Sequence, residues 1–354
     1  MFNPETYGLE PDFRCKIPQD TLNKDTTKQQ HGKELDNYIG SGMDCAVIPL
    51  SRYKEYSLVQ TVDFFYPLVD DPHMMGKIAL ANVVSDIYAV GVTVFDKLQM
   101  LISAPTELSE KQRDIVVPMI IDGFREAAKS AGIRVSVQNI ALNPWCIIGG
   151  IATSVCQQQE IIMPSNAKEG DLIVLTKPIG THLATNAFIW MQEQNDKYKQ
   201  LAEKFTQEDI EKTYQIALDS MSYLNRNAAL LMHKYSAHAA TDVTGFGLLG
   251  HAKNLAEFQR NALHFEIHTL PIMQNVLEYG RILSQDTKLR AGKAVETSGG
   301  LLICLPPENA SAFCAEFASV TDGAQAAWII GRVLKAEKRD ASLVESPTFI
   351  EVEL

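Results

Sequence analysis

Acidic residues in unusual sequence contexts are the side chains of this chain with the clearest potential for chemistry. Asp242 follows the small and β-branched residues 237–241, which predict a buried strand, and Gly245 and Gly247 then open an amphipathic helix. A strand–loop–helix turn of this kind turns backbone N–H groups and the positive end of a helix dipole towards an anion, and a carboxylate at its tip can hold a divalent cation. The pattern predicts a site for a metal-bridged phosphate, although a lone motif of this length is more often an ordinary helix N-terminus.

Three further carboxylates stand in positions that favour the same chemistry. Asp44 follows a flexible Gly-Ser-Gly-Met approach, Asp63 stands at the end of a predicted strand, and Asp86 lies inside the apolar helical run 78–87. A charge on a buried helix face is costly unless it is paired or bound to a metal. Taken alone, Asp86 is therefore either a metal ligand or a residue at a solvated helix edge. Several carboxylates around Mg²⁺ would neutralise phosphate oxygens during phosphoryl transfer.

Basic side chains add less to this prediction. Lys16 can meet a phosphate as a point charge, but one solvated lysine among many is the more common role. His233, His238 and His251 lie on or near predicted helices, where histidine is usually structural, and we assign none of them a catalytic role.

Composition limits the class of protein. The chain has 354 residues, 46% hydrophobic and 21% charged, a length that favours two domains over one. A net charge of -11 without a basic block argues against nucleic-acid binding, and the chain has no apolar run of about 18 residues that would span a membrane. No secretory signal is visible, and six scattered cysteines without CxxC spacing are typical of reduced thiols in a cytoplasmic protein.

Helix and strand patterns alternate through both halves, which predicts an α/β or α+β fold. We expect a mobile N-terminal arm over residues 1–40, an ATP- and metal-binding domain over 41–160 and a second domain over 168–354. In the first domain, Asp71-Pro72 and Ser109 mark helix starts, ending at Gly91 and Gly132. Its predicted strands cover 45–50, 56–62, 93–104, 133–137 and 146–155. In the second, strands are expected at 171–176, 237–241, 263–268, 300–305 and 327–335, and helices at 181–193, 207–221, 222–234, 247–260 and 308–317.

These segments together resemble the animal-type selenophosphate synthetase (selenide, water dikinase) family. The resemblance runs in order through nearly the whole chain, which is far more specific than any one motif. The matching stretches cover residues 15–19, 42–44, 60–67, 69–72, 74–76, 81–91, 142–145, 175–180, 240–251, 296–302 and 327–331.

The resemblance implies a two-domain fold shared with aminoimidazole ribonucleotide synthetase. In that fold the N-terminal domain forms a barrel with its twin in a homodimer, and a C-terminal α/β domain packs against it. The implied reaction converts ATP, selenide and water into selenophosphate, AMP and phosphate with Mg²⁺. By position, the metal-binding aspartates are matched by Asp44, Asp86 and Asp242. The implied nucleotide contacts are Lys16 (also the catalytic position), Gly42, Met43, Asp63, Gln138 and Asn139.

Two departures from the family pattern bear on activity. A glycine-rich stretch of roughly ten residues, which carries the selenium-handling nucleophile, is missing before Cys15, where Phe13 takes the nucleophile's place. A mis-spliced selenocysteine codon is one explanation. The second departure is Val137-Gln138-Asn139-Ile140 in place of the family's Gly-Gly-Gln-Thr. If these positions need glycine, side chains there would strain the backbone and obstruct a phosphate.

The departures leave more than one function open. The first hypothesis is an ATP-dependent selenophosphate synthetase whose selenide activity is weak or lost. The second is a catalytically inactive, nucleotide-binding regulatory paralogue. A third, another phosphotransferase of the same fold, is disfavoured by the animal-type segments.

Overall fold

The computed structural model of the chain describes residues 43–66 and 68–353, and these belong to one compact unit. The expectations about the N-terminal arm, Lys16, Gly42 and the segment before Cys15 lie outside the described residues. Within them, no helix is both long and apolar enough to cross a bilayer.

The elements follow one another as two sheet-forming halves. The first half contains β1 (Ala46–Pro49), β2 (Tyr56–Phe65), α1 (Pro72–Ala89), β3 (Lys97–Pro105), α2 (Glu110–Ser130), β4 (Val135–Asn143) and β5 (Ile147–Gln157). The second half contains β6 (Leu172–Leu175), α3 (Thr181–Gln192), α4 (Asp196–Leu201), α5 (Gln207–Ser222), α6 (Arg226–Lys234), β7 (Ala239–Asp242), α7 (Gly247–Glu257), β8 (Leu263–Met273), α8 (Val276–Ile282), α9 (Asp286–Arg290), β9 (Leu301–Leu305), α10 (Pro307–Val320), β10 (Trp328–Lys335) and β11 (Asp340–Val352).

The two helices of the first half begin and end where the sequence predicts. The Asp71 carboxylate accepts the Met74 N–H ahead of Pro72, and Ser109 forms a capping box with Gln112. Both helices are followed by a left-handed glycine, Gly91 (φ 78°) and Gly132 (φ 73°), a conformation that costs glycine little.

The first sheet has the order β1-β2-β5-β3-β4, antiparallel except for the parallel pair β3/β4. Helices α1 and α2 pack closely against each other, because a Cβ on Gly76 would lie 2.0 Å from the Ile120 carbonyl oxygen and one on Gly123 would lie 1.9 Å from that of His73. Helix α1 covers one face of the sheet through contacts with β2 and β5. The sheet of this single chain is open, with β1 and β4 at its edges.

The second sheet has the order β11-β8-β10-β6-β9-β7, with one parallel pair, β11/β8, and otherwise antiparallel pairs. Its strand β9 is buried at every residue. Sheets of mixed direction with packed helices confirm the expected α/β (α+β) class. The two halves also share contacts, because α1 of the first half packs against α5, α6 and β7 of the second.

Several predicted boundaries were wrong. Strand β2 continues through Asp63 to Phe65, so Asp63 is inside the strand. Strand β3 begins only at Lys97, and residues 93–96 belong to the loop that follows α1. Strands β4 and β8 run to Asn143 and Met273, well past their predicted ends, and α7 ends at Glu257, short of residue 260. The helix predicted from 222 begins at Arg226, because Tyr223 is already extended. The final strand β11 and the short helices α4, α8 and α9 went unpredicted.

Candidate functional site

Four aspartates from separate elements lie together where the two halves meet. Asp44 precedes β1, Asp63 lies in β2, Asp86 lies in the last turn and a half of α1, and Asp242 ends β7. Burial raises the pKa of the Asp86 carboxyl well above its usual range, and the charges of Asp242, Asp63 and Asp44 raise it further. The other three carboxylates are thus close enough to repel the Asp86 charge, although they are far apart in the chain.

Hydrogen bonds orient three of these four carboxylates. The Thr61 hydroxyl donates to Asp86, the Asn82 amide donates to Asp63 Oδ2 at 2.6 Å, and the Thr241 hydroxyl donates to Asp44 Oδ1 at 2.9 Å. The first two bonds join β2 to α1, and the third joins the second half to the first. Thr61 and Asp63 both point towards α1 because side chains two apart on a strand share a face.

The donor set fits a hard divalent cation. Asp44, Asp242 and His251 each offer one ligand atom within 4.8 Å of the others. His251 Nε2 accepts the Thr244 N–H at 3.0 Å, which engages that nitrogen and leaves carboxylate oxygens as the main donors. Oxygen ligands are the ones Mg²⁺ prefers, and a cation among them would relieve the repulsion that raises the pKa of Asp86.

A turn at residues 296–300 packs directly against the Asp242 segment. A Cβ on Gly299 would lie 2.1 Å from the Val243 carbonyl oxygen, and the Val243 N–H donates to the Gly300 carbonyl at 2.9 Å. Ser298 is left-handed (φ 48°), which is uncommon for a residue other than glycine, and its N–H donates to Asn82 Oδ1 at 3.3 Å. The turn therefore contacts both the strand that carries Asp242 and the helix that carries Asp86.

Two buried charged residues near this turn were missed by sequence reasoning. Lys177 is 1% exposed, and burial lowers its pKa to about 7 against the opposing effect of Asp242. Glu296 is 2% exposed and accepts the N–H groups of Gly180 and Thr181 at the start of α3, yet burial raises its pKa to about 7. Both lie in stretches that resemble the family, but a lysine or glutamate in a sequence carries no sign that the fold will bury it.

The predicted nucleotide contacts Gln138 and Asn139 belong to the first half. They are exposed on the edge strand β4, where the pairing with β3 shifts register between Met100 and Ile102. Gln138 accepts a hydrogen bond from Gln99, and among the described residues no hydrogen bond links either side chain to the four aspartates. Residues 137–140 all have negative φ, so the expected strain from the loss of glycine is wrong: this backbone is extended, and any residue can adopt it.

The remaining predicted positions divide into two groups. Met43 is half-buried and packs against the hydrophobic cores of both halves, directly before Asp44. Lys16 and Gly42 lie outside the described residues.

The five described cysteines are free. Burial raises the pKa of the Cys45 thiol well above its usual range, and the charges of Asp86, Asp44 and Asp242 raise it further. A nucleophilic thiolate is therefore unfavourable at Cys45.

Both halves of the chain match domains of known protein families. Residues 42–155 match the N-terminal domain of AIR synthase related proteins, and residues 168–343 match their C-terminal domain. The chain is 54% identical to "Selenide, water dikinase 2" of Drosophila melanogaster, with 100% of each chain covered. It is 44% identical to "Selenide, water dikinase 3" of Danio rerio over 99% of this chain and 88% of that one.

Solved structures with low sequence identity share the fold. Thiamine monophosphate kinase of Aquifex aeolicus superposes with a TM-score of 0.63 at 17% identity, covering 94% of this chain and 97% of that one. The hydrogenase maturation protein HypE in complex with ATP superposes with a TM-score of 0.60 at 16% identity, covering 90% and 87%.

Proposed function

The chain belongs to the selenide, water dikinase family, and from that premise we propose that it catalyses the ATP-dependent synthesis of selenophosphate. The family reaction consumes ATP, selenide and water and releases selenophosphate, AMP and phosphate. ATP and selenide are accordingly the proposed substrates of this chain.

One observation carries the proposal: Asp44, Asp63 and Asp242 come from three elements in both halves, and their charges all act on the buried Asp86, while Asp44 and Asp242 offer ligand atoms within 4.8 Å of each other. A protein keeps buried like charges together at a cost in stability, so their proximity needs a compensating ligand. We assign that role to Mg²⁺, held by Asp44, Asp86 and Asp242, which would supply charge neutralisation to the phosphate oxygens of ATP.

The chain's own residues divide the remaining work. Asp63, held by Asn82, is proposed to contact the nucleotide, together with Gly42, Met43, Gln138 and Asn139. Lys16 is proposed to act as the catalytic cation on the transferred phosphate, because an ammonium group offers a point charge to phosphate oxygens. Val243 and Thr244 begin the turn into α7, whose N-terminal N–H groups favour an anion beside Asp242.

Selenide turnover is proposed to be weak in this chain, with a nucleotide-binding regulatory paralogue as the alternative. The basis is the missing segment before Cys15 and the loss of Gly-Gly-Gln-Thr at 137–140. The alignment with the Drosophila relative spans 370 positions, 16 more than the 354 residues of this chain, so the relative has residues that this chain lacks.

A homodimer through the first sheet is proposed as the working assembly. The face of this sheet opposite α1 carries apolar side chains that pair across neighbouring strands, and we call it the outer face: Ile48, Leu58, Val62, Phe64, Leu101, Ile147, Ile151 and Val155. Val62 and Phe64 are 54% and 56% exposed in the single chain. Exposed apolar side chains concentrated on one sheet face are typical of an interface, and a second copy would cover them. We further propose domains at 41–160 and 168–354 and a cytoplasmic location.

A measurement of ATP consumption with and without selenide tests the proposed function. A synthetase forms AMP only when selenide is present, and the family role predicts a selenide-dependent rate that the missing segment keeps low. An AMP rate equal to that of the no-selenide control, with Mg²⁺-dependent ATP binding intact in calorimetry, would favour the regulatory paralogue. Absence of both ATP binding and AMP formation would contradict the assignment of the carboxylate cluster.

A further inference from the structure

Lys177 is a buried lysine whose side chain joins two separate parts of the second half. It follows β6 and is 1% exposed, and its Nζ donates to the Tyr223 carbonyl oxygen at 2.7 Å and to the Ser298 carbonyl oxygen at 2.8 Å. Tyr223 follows α5, and Ser298 lies in the turn before β9. One side chain thus ties the end of a helix to the turn that contacts Asp242.

Burying an ammonium group is unfavourable unless its protons are met by acceptors. Two carbonyl oxygens meet Lys177 Nζ; burial lowers its pKa to about 7, and the negative charge of Asp242 opposes that shift. An apolar residue such as methionine would fill the same volume without that cost of burial. The presence of lysine at this position therefore points to a role for its hydrogen bonds and charge.

The turn held by Lys177 connects to carboxylates in both halves. In one direction, the Ser298 N–H donates to Asn82 Oδ1, and the Asn82 amide donates to Asp63. In the other direction, Gly299 and Gly300 pack on Val243, the residue after Asp242. Because Ser298 is left-handed, the turn has a conformation that a loosened chain would leave.

We propose that Lys177 is a positioning residue that fixes the turn at residues 298–300 and thereby sets Asp63 and Asp242 at the spacing that metal and nucleotide require. It touches neither ligand; it acts through the Ser298 carbonyl. The catalytic consequence rests on the proposed function, whereas the structural part, the fixing of the turn, does not.

The substitution Lys177→Met tests the proposal, with Thr176→Val as its matched control. Thr176 is the adjacent residue, fully buried, and its hydroxyl oxygen accepts the Leu301 N–H at 2.8 Å, so its loss disturbs the same turn-to-strand junction without touching Ser298. Lys177→Gln, which keeps a donor, is the second variant if Lys177→Met does not fold.

The first measurement needs no metal and no activity. Hydrogen exchange at the amides of residues 298–300 and 243 is expected to rise by about tenfold in Lys177→Met, the factor that corresponds to one lost hydrogen bond, and to stay near wild type in Thr176→Val. Unchanged exchange in the Lys177 variant that folds, or an equal rise in Thr176→Val, would overturn the proposal.

The second measurement follows the ligands. Mn²⁺ titrated into protein holding a non-hydrolysable ATP analogue, followed by electron paramagnetic resonance, is expected to bind about tenfold more weakly to Lys177→Met than to Thr176→Val of similar thermal stability. Equal Mn²⁺ affinity in the two variants would contradict the link to the carboxylates. A wild-type protein that binds no Mn²⁺ would instead refute the proposed function and leave the exchange result to decide on Lys177.

Discussion

The two faces of the first sheet differ in whether the same chain supplies partners for their side chains. On the inner face, Thr61 and Asp63 of β2 are met by Asp86 and Asn82 of α1, so the chain supplies the partners of its own polar residues. On the outer face, the residue between them, Val62, is 54% exposed, although valine is among the residues most often found buried. Strand β2 therefore carries polar side chains with partners on its inner face and an exposed apolar side chain on its outer face.

The two faces therefore differ in their effect on stability and on ligand binding. The inner face holds mutually repelling carboxylates in fixed positions, which lowers stability but prepares a cation site. The outer face keeps apolar groups in water, which association with a second copy would reverse.

The largest expected effect is on the outer face. Phe64→Asp introduces a charge into the proposed interface twice, once from each copy, and is expected to raise the dimer dissociation constant by about 1,000-fold. Sedimentation velocity across a concentration series measures it. Val94→Asp is the matched control, because Val94 is 70% exposed and lies outside the sheet. A Phe64→Asp protein as dimeric as the control would show that the outer face is not the interface.

On the inner face, Asp86→Asn is expected to weaken Mg²⁺-dependent ATP binding by about 100-fold, close to 3 kcal/mol, because a charged ligand is lost. The same substitution removes a repelled charge, so the thermal midpoint should rise or stay constant. Calorimetry and thermal unfolding measure the two effects. Asp122→Asn, at an exposed position of α2, should change neither. Loss of stability together with unaltered ATP binding would identify Asp86 as structural.

A pH series sharpens the account of the buried acid Glu296. Its pKa rises from 4.5 to about 7 on folding, so between these values the unfolded chain loses the proton first. The free energy of unfolding contributed by Glu296 is therefore greatest below pH 4.5 and falls as pH rises towards 7. Urea unfolding should show the wild-type protein losing about 2 kcal/mol relative to Glu296→Gln from pH 5 to 7.5. A constant difference between the two proteins would mean that Glu296 is ionised throughout.

The smallest expected effect is at the sheet edge. Replacing Gln138 and Asn139 together by alanine is expected to weaken ATP binding by about threefold to tenfold, the cost of one or two surface hydrogen bonds, and to leave stability within about 0.5 kcal/mol. Calorimetry with ATP and Mg²⁺ measures this. Since both side chains are exposed, Gln159→Ala at another exposed polar position is the control. ATP affinity identical to wild type would remove both residues from the nucleotide site.

Local signals in the sequence predicted local structure well. Asp71 and Ser109 start helices because their side chains accept backbone N–H groups of the first turn, and Pro72 has no N–H that needs a partner. These effects act within one turn, and both helices begin at these residues. Predictions failed where packing decides. The polar-looking segment 138–143 became part of β4 because β3 offered it a partner, and β11 formed beside β8 despite a weak apolar pattern.

The candidate site shows the same division. Local context singles out four acids, Asp44, Asp63, Asp86 and Asp242, and the resemblance to the family implies that Asp44, Asp86 and Asp242 bind the metal. In the fold, the charges of the other three act on Asp86. Lys177, Glu296 and Asn82 escaped notice because each is an ordinary residue in its own segment. Their importance comes from partners 19 to 216 positions away along the chain.

The sequence by itself determined the family, the class of fold and the candidate acids, because those depend on residue types in order and on forces that act over a few residues. Only the tertiary structure decided that the acids meet, that Lys177 and Glu296 lose water, and that residues 137–140 form an unstrained edge strand. Burial and proximity arise when distant segments exclude water together, and no single segment encodes that event.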